Sequence, residues 1–105
     1  MLRSMGQIRT ASLELEACVD ESIERSKKAG YYPTTFILMR KRHATVPAMT
    51  QLVESGDIQS GFKRLKQLGL AEKWSIEAII LKFPHEFTAP AVECARWRLE
   101  HIDDA

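Results

Sequence analysis

Apolar side chains recur about once per helical turn along most of this chain, and that spacing constrains its fold more than any other feature. Residues 12–28 show it best, because their apolar residues share one stripe while acidic residues occupy the remaining arc. Ser12 suits the N-cap, Lys27 and Lys28 suit the C-terminal end of a helix dipole, and Gly30 suits its termination. The pattern predicts an α-helix over residues 12–28.

The middle of the chain contains three further helix starts. The first is Pro33, which precedes four consecutive apolar residues, so we expect the first turns of this helix to lie at the centre of the core. A strand is the alternative, but no partner strand is evident. The next helix should begin near Val46 and end by Gly56. A third covers residues 58–68, where Gly61 indicates either close packing against a neighbour or a start two residues later.

Two more helices are predicted in the C-terminal part. Ser75 is the expected N-cap of a helix that Pro84 closes, and Thr88 is the expected N-cap of the last helix. No repeat or low-complexity segment interrupts the pattern. The sequence therefore predicts an all-α fold, a single compact bundle of five to six short helices over residues 12–105, preceded by a flexible N-terminal segment, residues 1–11.

The last predicted helix has two distinctive sides. Its inner, core-facing stripe consists of Ala91, Val92, Ala95, Leu99 and Ile102. Cys94, Trp97 and His101 align on another side. We interpret Trp97 as a second packing contact, because small helical domains commonly clamp a terminal helix on two sides. The alternative is a patch that contacts a partner, since tryptophan is enriched at interface hot spots. Cys94, Trp97 and His101 are thus the candidate partner interface.

Charge is distributed unevenly, although the formal net charge is only +1. Residues 1–26 carry three basic and five acidic side chains, residues 27–73 carry nine and three, and residues 74–105 carry three and six. The positive middle third would attract phosphate or an acidic protein. We favour the alternative that its cations are solvated helix faces paired with the acidic ends of the same fold. The candidate contacts for a phosphate or an acidic partner are Arg40, Lys41, Arg42, Lys63, Arg64 and Lys66.

A helix-turn-helix interpretation fits residues 46–70, with cations on its second helix and the basic cluster of residues 40–43 nearby for phosphate contacts. Glu54 and Asp57 in the intervening turn would face a phosphate backbone poorly. Because the net charge is also close to zero, nucleic-acid binding is the second choice of function.

Catalytic and metal-binding patterns are missing from the sequence. Cys94 and His101 are two helical turns apart, too far for a direct hydrogen bond along one helix. His43 and His85 lack the short ligand spacings of metal sites. Cys18 and Cys94 lie far apart in the sequence and are expected to be reduced thiols on helices. We expect a protein that is not an enzyme and that has no cofactor and no bound metal.

The sequence also lacks membrane and export signals. No apolar run approaches the roughly 20 residues that cross a bilayer, and the first residues lack the apolar stretch of a secretion signal. We therefore expect a cytoplasmic protein with no membrane contact. The predicted partner is another protein or a second copy of this chain, and inhibition of a nucleic-acid enzyme is compatible with the same surface.

Four short segments carry a set of motifs. Residues 30–36 fit Gly-Tyr-x-Pro-Thr-x-Phe, and residues 60–65 fit Ser-Gly-Phe-x-x-Leu. Residues 75–81 fit Thr-Val-Glu-Ala-x-x-Leu with Ser-Ile in place of Thr-Val, and residues 86–88 fit Leu-Phe-Thr with Glu86 in place of leucine. Together these segments resemble a small bacterial helical domain of uncharacterised function, which occurs alone or appended to other proteins. The resemblance extends over residues 30–102 and implies a shared scaffold. It implies no catalytic residues.

These observations predict a non-catalytic protein-interaction or regulatory module that acts through an exposed helix face. The alternative is a nucleic-acid-binding protein that uses residues 46–70 and the cluster of residues 40–43.

Overall fold

The computed structural model describes residues 11–55 and 60–101, which contain seven α-helices and one short 3-10 helix. In chain order these are α1 (Leu13–Lys28), α2 (Thr34–His43), α3 (Thr45–Val53), α4 (Ser60–Gln67), α5 (Ala71–Trp74), α6 (Ile76–Lys82), the 3-10 helix (Pro84–Glu86) and α7 (Ala89–Glu100). The described residues form no strand, so the predicted all-α class is confirmed. The helix count exceeds five to six because α5, a single turn, was not foreseen.

Some of the predicted features lie outside the described residues. They include nearly all of the N-terminal segment, residues 1–11, together with Gly56, Ile58 and Ile102. Ala11, the last residue of that segment, is described, and it is half-buried against the hydrophobic core.

Side-chain caps fix the starts of three helices where the sequence placed them. Ser12, Ser75 and Thr88 have extended backbones, and each side-chain oxygen accepts a hydrogen bond from the amide three residues along, at 3.0, 3.0 and 3.3 Å respectively. These bonds satisfy amides that have no partner within the first helical turn. The three predicted N-caps are therefore confirmed.

The start of α1 is also tied to the far end of the chain. Glu86, in the 3-10 helix, accepts hydrogen bonds from the backbone amide of Ser12 at 2.9 Å and from its hydroxyl at 2.6 Å. One serine therefore caps α1 and joins it to the segment between α6 and α7.

The prediction that α2 is a helix is confirmed, and the strand alternative is excluded. The prediction of its burial is wrong, because its first turns do not occupy the centre of the core. Phe36 is its one buried residue, whereas Leu38 is 53% exposed. The reason is that α2 packs chiefly on α3, so only one of its faces is covered. A run of apolar residues was a poor guide to burial here, since exposed single apolar residues are common on protein surfaces.

The buried apolar residues form two clusters. The larger, here called the major core, joins residues of α1, α2, α3, α6 and α7. The smaller, here called the minor core, consists of Phe62, Leu65 and Ala71, with Tyr31, Leu70 and Leu99 packed against it. The major core consists of Leu15, Val19, Ile23, Phe36, Ala48, Met49, Val53, Ile79, Ile80, Phe87, Ala91 and Ala95.

The close-packing explanation offered for Gly61 is confirmed. Helix α4 is described over Ser60–Gln67, and residues 56–59, which bear on a later helix start, lie outside the described part. The ring of Tyr31 lies against Gly61, where an added Cβ would be 3.3 Å from Cζ of Tyr31 and closer still to its hydroxyl oxygen. A glycine at this position lets the tyrosine approach the backbone of α4.

Candidate functional site

Trp97 is the one large apolar side chain of the last helix that is exposed among the described residues. Its side chain is 53% exposed, so the packing interpretation of Trp97 is wrong. Its ring stacks on that of His101, with ring centroids 4.0 Å apart and planes 19° from parallel. The Nδ1 atom of His101 lies 2.8 Å from the backbone oxygen of Trp97, which can only accept, so this nitrogen donates. The stack holds the indole in one orientation at the surface.

The third predicted interface residue occupies a different environment. Cys94 is half-buried and packs against the major core as a free thiol. Cys94 lies on α7, as predicted, but part of its side chain contacts the major core instead of solvent. The surface that the structure leaves open on this helix is therefore the Trp97–His101 stack, which we call the α7 patch.

A salt bridge flanks the α7 patch. Arg96 and Glu93 approach to 3.9 Å, and both are at least half exposed, so their interaction adds little to stability. Glu100 is exposed as well. Charges of both signs therefore border the indole, and the patch presents no strong field of one sign.

Arg98, the neighbour of Trp97, points the other way. It is 4% exposed and pairs with the buried Glu77 of α6, with Nη1 and Oε2 3.2 Å apart, while its Nη2 donates to the hydroxyl of Ser55 at 3.2 Å. Burial raises the pKa of Glu77 even though Arg98 opposes that rise. This pair was not predicted, because its members are 21 positions apart and each residue type is usually found at the surface.

Arg40 does not act as the sequence suggested. Its guanidinium contacts Glu16 at 2.5 Å and Asp20 at 2.8 Å, both on α1, and its Nε donates to the hydroxyl of Thr45 at 2.9 Å. The expected contact of Arg40 with phosphate is therefore corrected: its donors are used within the fold. This pairing with the acidic first helix is the alternative that the charge distribution favoured.

Glu16 is the acceptor at the centre of this network. Thr45 donates its hydroxyl to the carboxylate of Glu16 at 2.6 Å, beside the Arg40 contact. Burial opposes ionisation of Glu16, but the hydrogen bonds from Thr45 and Arg40 and the charge of Arg40 outweigh it, and the pKa of Glu16 is lowered. The network joins α1, α2 and α3.

The other predicted cations are spread over two helices. Lys41 and Arg42 are exposed in the last turn of α2, where their charges favour the negative end of the helix dipole. Lys63 and Arg64 are exposed on α4, and Lys66 is half-buried there. These five remain the candidate contacts for an acidic partner.

The two helices of the proposed helix-turn-helix segment belong to different parts of the fold. Helix α3 packs on α2, α6 and α7 and contributes to the major core, whereas α4 packs on α5 and contributes to the minor core. The turn that would join them includes residues 56–59, outside the described part. A helix-turn-helix unit needs its two helices to support each other.

A cavity of about 130 Å³ lies among α1, α2, α3, α4 and α6. Its walls include the aromatic rings of Tyr31, Phe36, Phe62 and Trp74. Exposed Thr35 lies at its edge, so the cavity reaches the surface. The cavity has no counterpart in the sequence pattern, because its residues come from five separate segments.

Most polar groups of the cavity are already hydrogen-bonded. Ser22 donates to the backbone oxygen of Trp74 at 2.8 Å, and Ser26 donates to the backbone oxygen of Ser22 at 2.9 Å. Glu77 is paired with Arg98. The hydroxyl of Tyr31 differs, because it has no hydrogen-bond partner among residues 11–55 and 60–101. Burial raises the pKa of Tyr31, so the hydroxyl keeps its proton at neutral pH.

Filling such a cavity is favourable. Apolar walls gain dispersion contacts when atoms occupy the space between them.

Within residues 11–55 and 60–101, no three His, Cys, Asp or Glu side chains lie close enough together to hold a metal ion. Over the same residues, no helix has the length and apolar character that crossing a membrane requires.

Comparison with protein-family models, curated proteins and solved structures finds no match to this chain. The resemblance to the small bacterial domain therefore stays a prediction.

Proposed function

We propose that this chain is a non-catalytic protein-interaction module that acts through the α7 patch. The observation that carries the proposal is the 53% exposure of Trp97 on an otherwise well-packed terminal helix. Tryptophan is a costly residue to leave in water, and burying it against a partner recovers that free energy. It is also among the residues most enriched at interface hot spots.

The stack on His101 strengthens this argument. Binding normally loses free energy when a mobile side chain becomes fixed, at about 0.5–1.5 kcal/mol for each side chain. Trp97 is already held by a ring 4.0 Å away, and that ring is anchored by its own hydrogen bond to the Trp97 backbone. The indole is therefore organised for contact before a partner arrives.

The chemistry of the border indicates what kind of partner fits. Arg96 and Glu93 pair with each other, so the border of the patch gives no net attraction for a highly charged molecule. The matching surface is a protein face with an apolar pocket for the indole and mixed charges around it. A second copy of the chain and a different protein both meet this description.

The test compares Trp97→Ala with Leu38→Ala. The two residues are equally exposed, at 53% each, but they lie on different helices, α7 and α2. Neither change should alter stability by more than about 0.5 kcal/mol, because neither side chain is in the core. Sedimentation velocity reports self-association, and nuclease-treated pull-downs report binding of other proteins.

The proposal expects that Trp97→Ala removes either self-association or capture of one identified protein, while Leu38→Ala retains it. Trp97→Phe should retain part of the binding, because phenylalanine keeps a ring over His101. If every interaction of the native chain survives Trp97→Ala, or if Leu38→Ala is equally damaging, the α7 patch is not the interaction surface.

Nucleic-acid binding is the alternative function. Lys41, Arg42, Lys63 and Arg64 are exposed cations and favour it. We rank it second because Arg40 is committed to α1 and because α3 and α4 support different cores.

A further inference from the structure

We propose that the cavity among α1, α2, α3, α4 and α6 binds a small single-ring aromatic molecule with one hydroxyl group, a phenol in the simplest case, which the free hydroxyl of Tyr31 recognises. This binding site is separate from the α7 patch, because neither Trp97 nor His101 lines the cavity.

The size of the cavity selects a single ring. An engineered apolar protein cavity of about 150 Å³ takes up benzene. The cavity here, at about 130 Å³, is close to that size, and the exposed Thr35 is among its lining residues.

The walls select an aromatic molecule. Phe36, Phe62 and Trp74 present three rings to the cavity, and aromatic rings attract one another in edge-to-face or offset arrangements. Two cations lie over the Trp74 ring, namely the guanidinium of Arg25 at 4.5 Å and the ammonium of Lys82 at 4.7 Å from its centroid. These contacts hold the indole in place as a wall.

The polar groups select one hydroxyl. Ser22 and Ser26 already donate to backbone oxygens, and Glu77 is paired with Arg98. Tyr31 retains an unused hydroxyl that can both donate and accept. Thr35, which also lines the cavity, is exposed, so water can reach its hydroxyl. A ligand with one hydroxyl can therefore bond to the tyrosine, and further hydroxyls buried in the cavity would lack partners.

The backbone of α4 positions that hydroxyl. Gly61 lets the tip of Tyr31 lie directly against the helix, and an added Cβ would collide with the hydroxyl oxygen. Gly61→Ala should therefore displace the hydroxyl without removing it, since the end of a tyrosine side chain can shift.

The test uses phenol and toluene, which have the same number of heavy atoms and differ in the hydroxyl. The full chain is titrated with each and followed by the two indole N–H signals in NMR spectra. Trp74 lines the cavity and Trp97 does not, so one signal reports binding and the other is an internal control. We expect saturable shifts at Trp74 only, with phenol about three- to tenfold tighter than toluene, the range of one net hydrogen bond.

Variants of two adjacent tyrosines make the assignment specific. Tyr31→Phe removes the cavity hydroxyl while keeping the ring, and it should reduce the preference for phenol over toluene to one or below, because the phenol hydroxyl then has no partner. Gly61→Ala should weaken the same preference. Tyr32→Phe is the matched control, because Tyr32 is 63% exposed and does not line the cavity.

Three results would overturn the proposal. If phenol shifts both indole signals equally, its binding is nonspecific and does not occur in the cavity. Equal affinities for phenol and toluene in the unaltered chain exclude recognition of the hydroxyl. A preference that survives Tyr31→Phe, or that Tyr32→Phe removes equally well, excludes Tyr31. A circular dichroism melt of each variant shows that the comparison is made on folded protein.

Discussion

At the scale of single residues, two arginines that the fold covers wholly or in part have specific acidic partners. Arg40 contacts Glu16 and Asp20 across two helices, and Arg98 pairs with Glu77 in the interior. Sequence reasoning foresaw that the basic middle of the chain would pair with acids elsewhere. It did not identify these particular pairs, because side chains 20 or more positions apart meet only through tertiary packing.

The lowered pKa of Glu16 predicts how stability changes with pH. A carboxylate whose pKa is lower in the folded than in the unfolded state stabilises the fold above its unfolded pKa, near 4.5, and this contribution is lost as the pH falls through the folded pKa. Glu16→Gln should therefore reduce the free energy of unfolding by about 1 kcal/mol at pH 7. Urea unfolding at a series of pH values should show the difference shrinking as the pH falls below 4.5.

The groups around Glu16 define the control for this experiment. Asp20, Arg40 and Thr45 face its carboxylate. The raised pKa of the buried Glu77 changes stability with pH in the opposite direction, but Glu77 is present in both proteins, so its contribution cancels in the difference between them. Glu24→Gln changes an exposed acid of the same helix and should alter the free energy of unfolding at pH 7 by less than about 0.5 kcal/mol. A Glu16→Gln effect that is equally large at pH 7 and pH 3 would contradict the assigned role.

At the scale of helices, local signals predicted where elements begin but not what they cover. The caps at Ser12, Ser75 and Thr88 depend on atoms three residues apart, so the sequence alone locates them. Burial of α2 depends on which neighbours the fold supplies, and there the prediction failed. Helix α5 was missed because four residues are too short to show a helical period.

The link between Ser12 and Glu86 predicts cooperation between the first helix and the segment before the last. Glu86→Ala removes the acceptor of two hydrogen bonds, at 2.9 and 2.6 Å, and should lower the free energy of unfolding by about 1–2 kcal/mol. Chemical denaturation is the measurement. Glu93→Ala, which removes an exposed salt bridge at 3.9 Å, is the control and should cost less than about 0.5 kcal/mol.

A third variant, Glu86→Gln, tests whether the acceptor atoms matter. It keeps one carbonyl acceptor, so its free energy of unfolding should lie between that of the unaltered chain and that of Glu86→Ala. Equal stabilities for Glu86→Ala and Glu93→Ala would mean that the link contributes nothing beyond a surface contact.

At the scale of the whole molecule, the near-neutral net charge of +1 determines what the protein attracts from a distance. The binding of proteins to duplex DNA depends mainly on cations that neutralise phosphates, and it weakens steeply with salt. The candidate cations are divided between α2 and α4, and Arg40 is occupied. The class of fold was predictable from periodicity, whereas the cavity and the α7 patch depend on how the helices assemble.

We therefore predict weak or undetectable binding to duplex DNA at about 150 mM salt, measured by fluorescence anisotropy. A replacement of Lys41, Arg42, Lys63 and Arg64 by alanine should make no difference to that result. Micromolar or tighter binding that falls with salt and disappears in this variant would instead establish nucleic acid as the partner. Arg40 is left unchanged, because its replacement would disturb the contacts among α1, α2 and α3.

The division of the interior into two cores determines how a ligand reaches the cavity. Helix α4 supplies Gly61, Phe62 and Leu65 to the cavity, but its buried residues belong to the minor core. Local opening of α4 therefore exposes only a small apolar contact area, while the major core stays packed. A guest molecule can enter and leave during such fluctuations, and amide hydrogens of α4 should exchange with solvent sooner than those of α6.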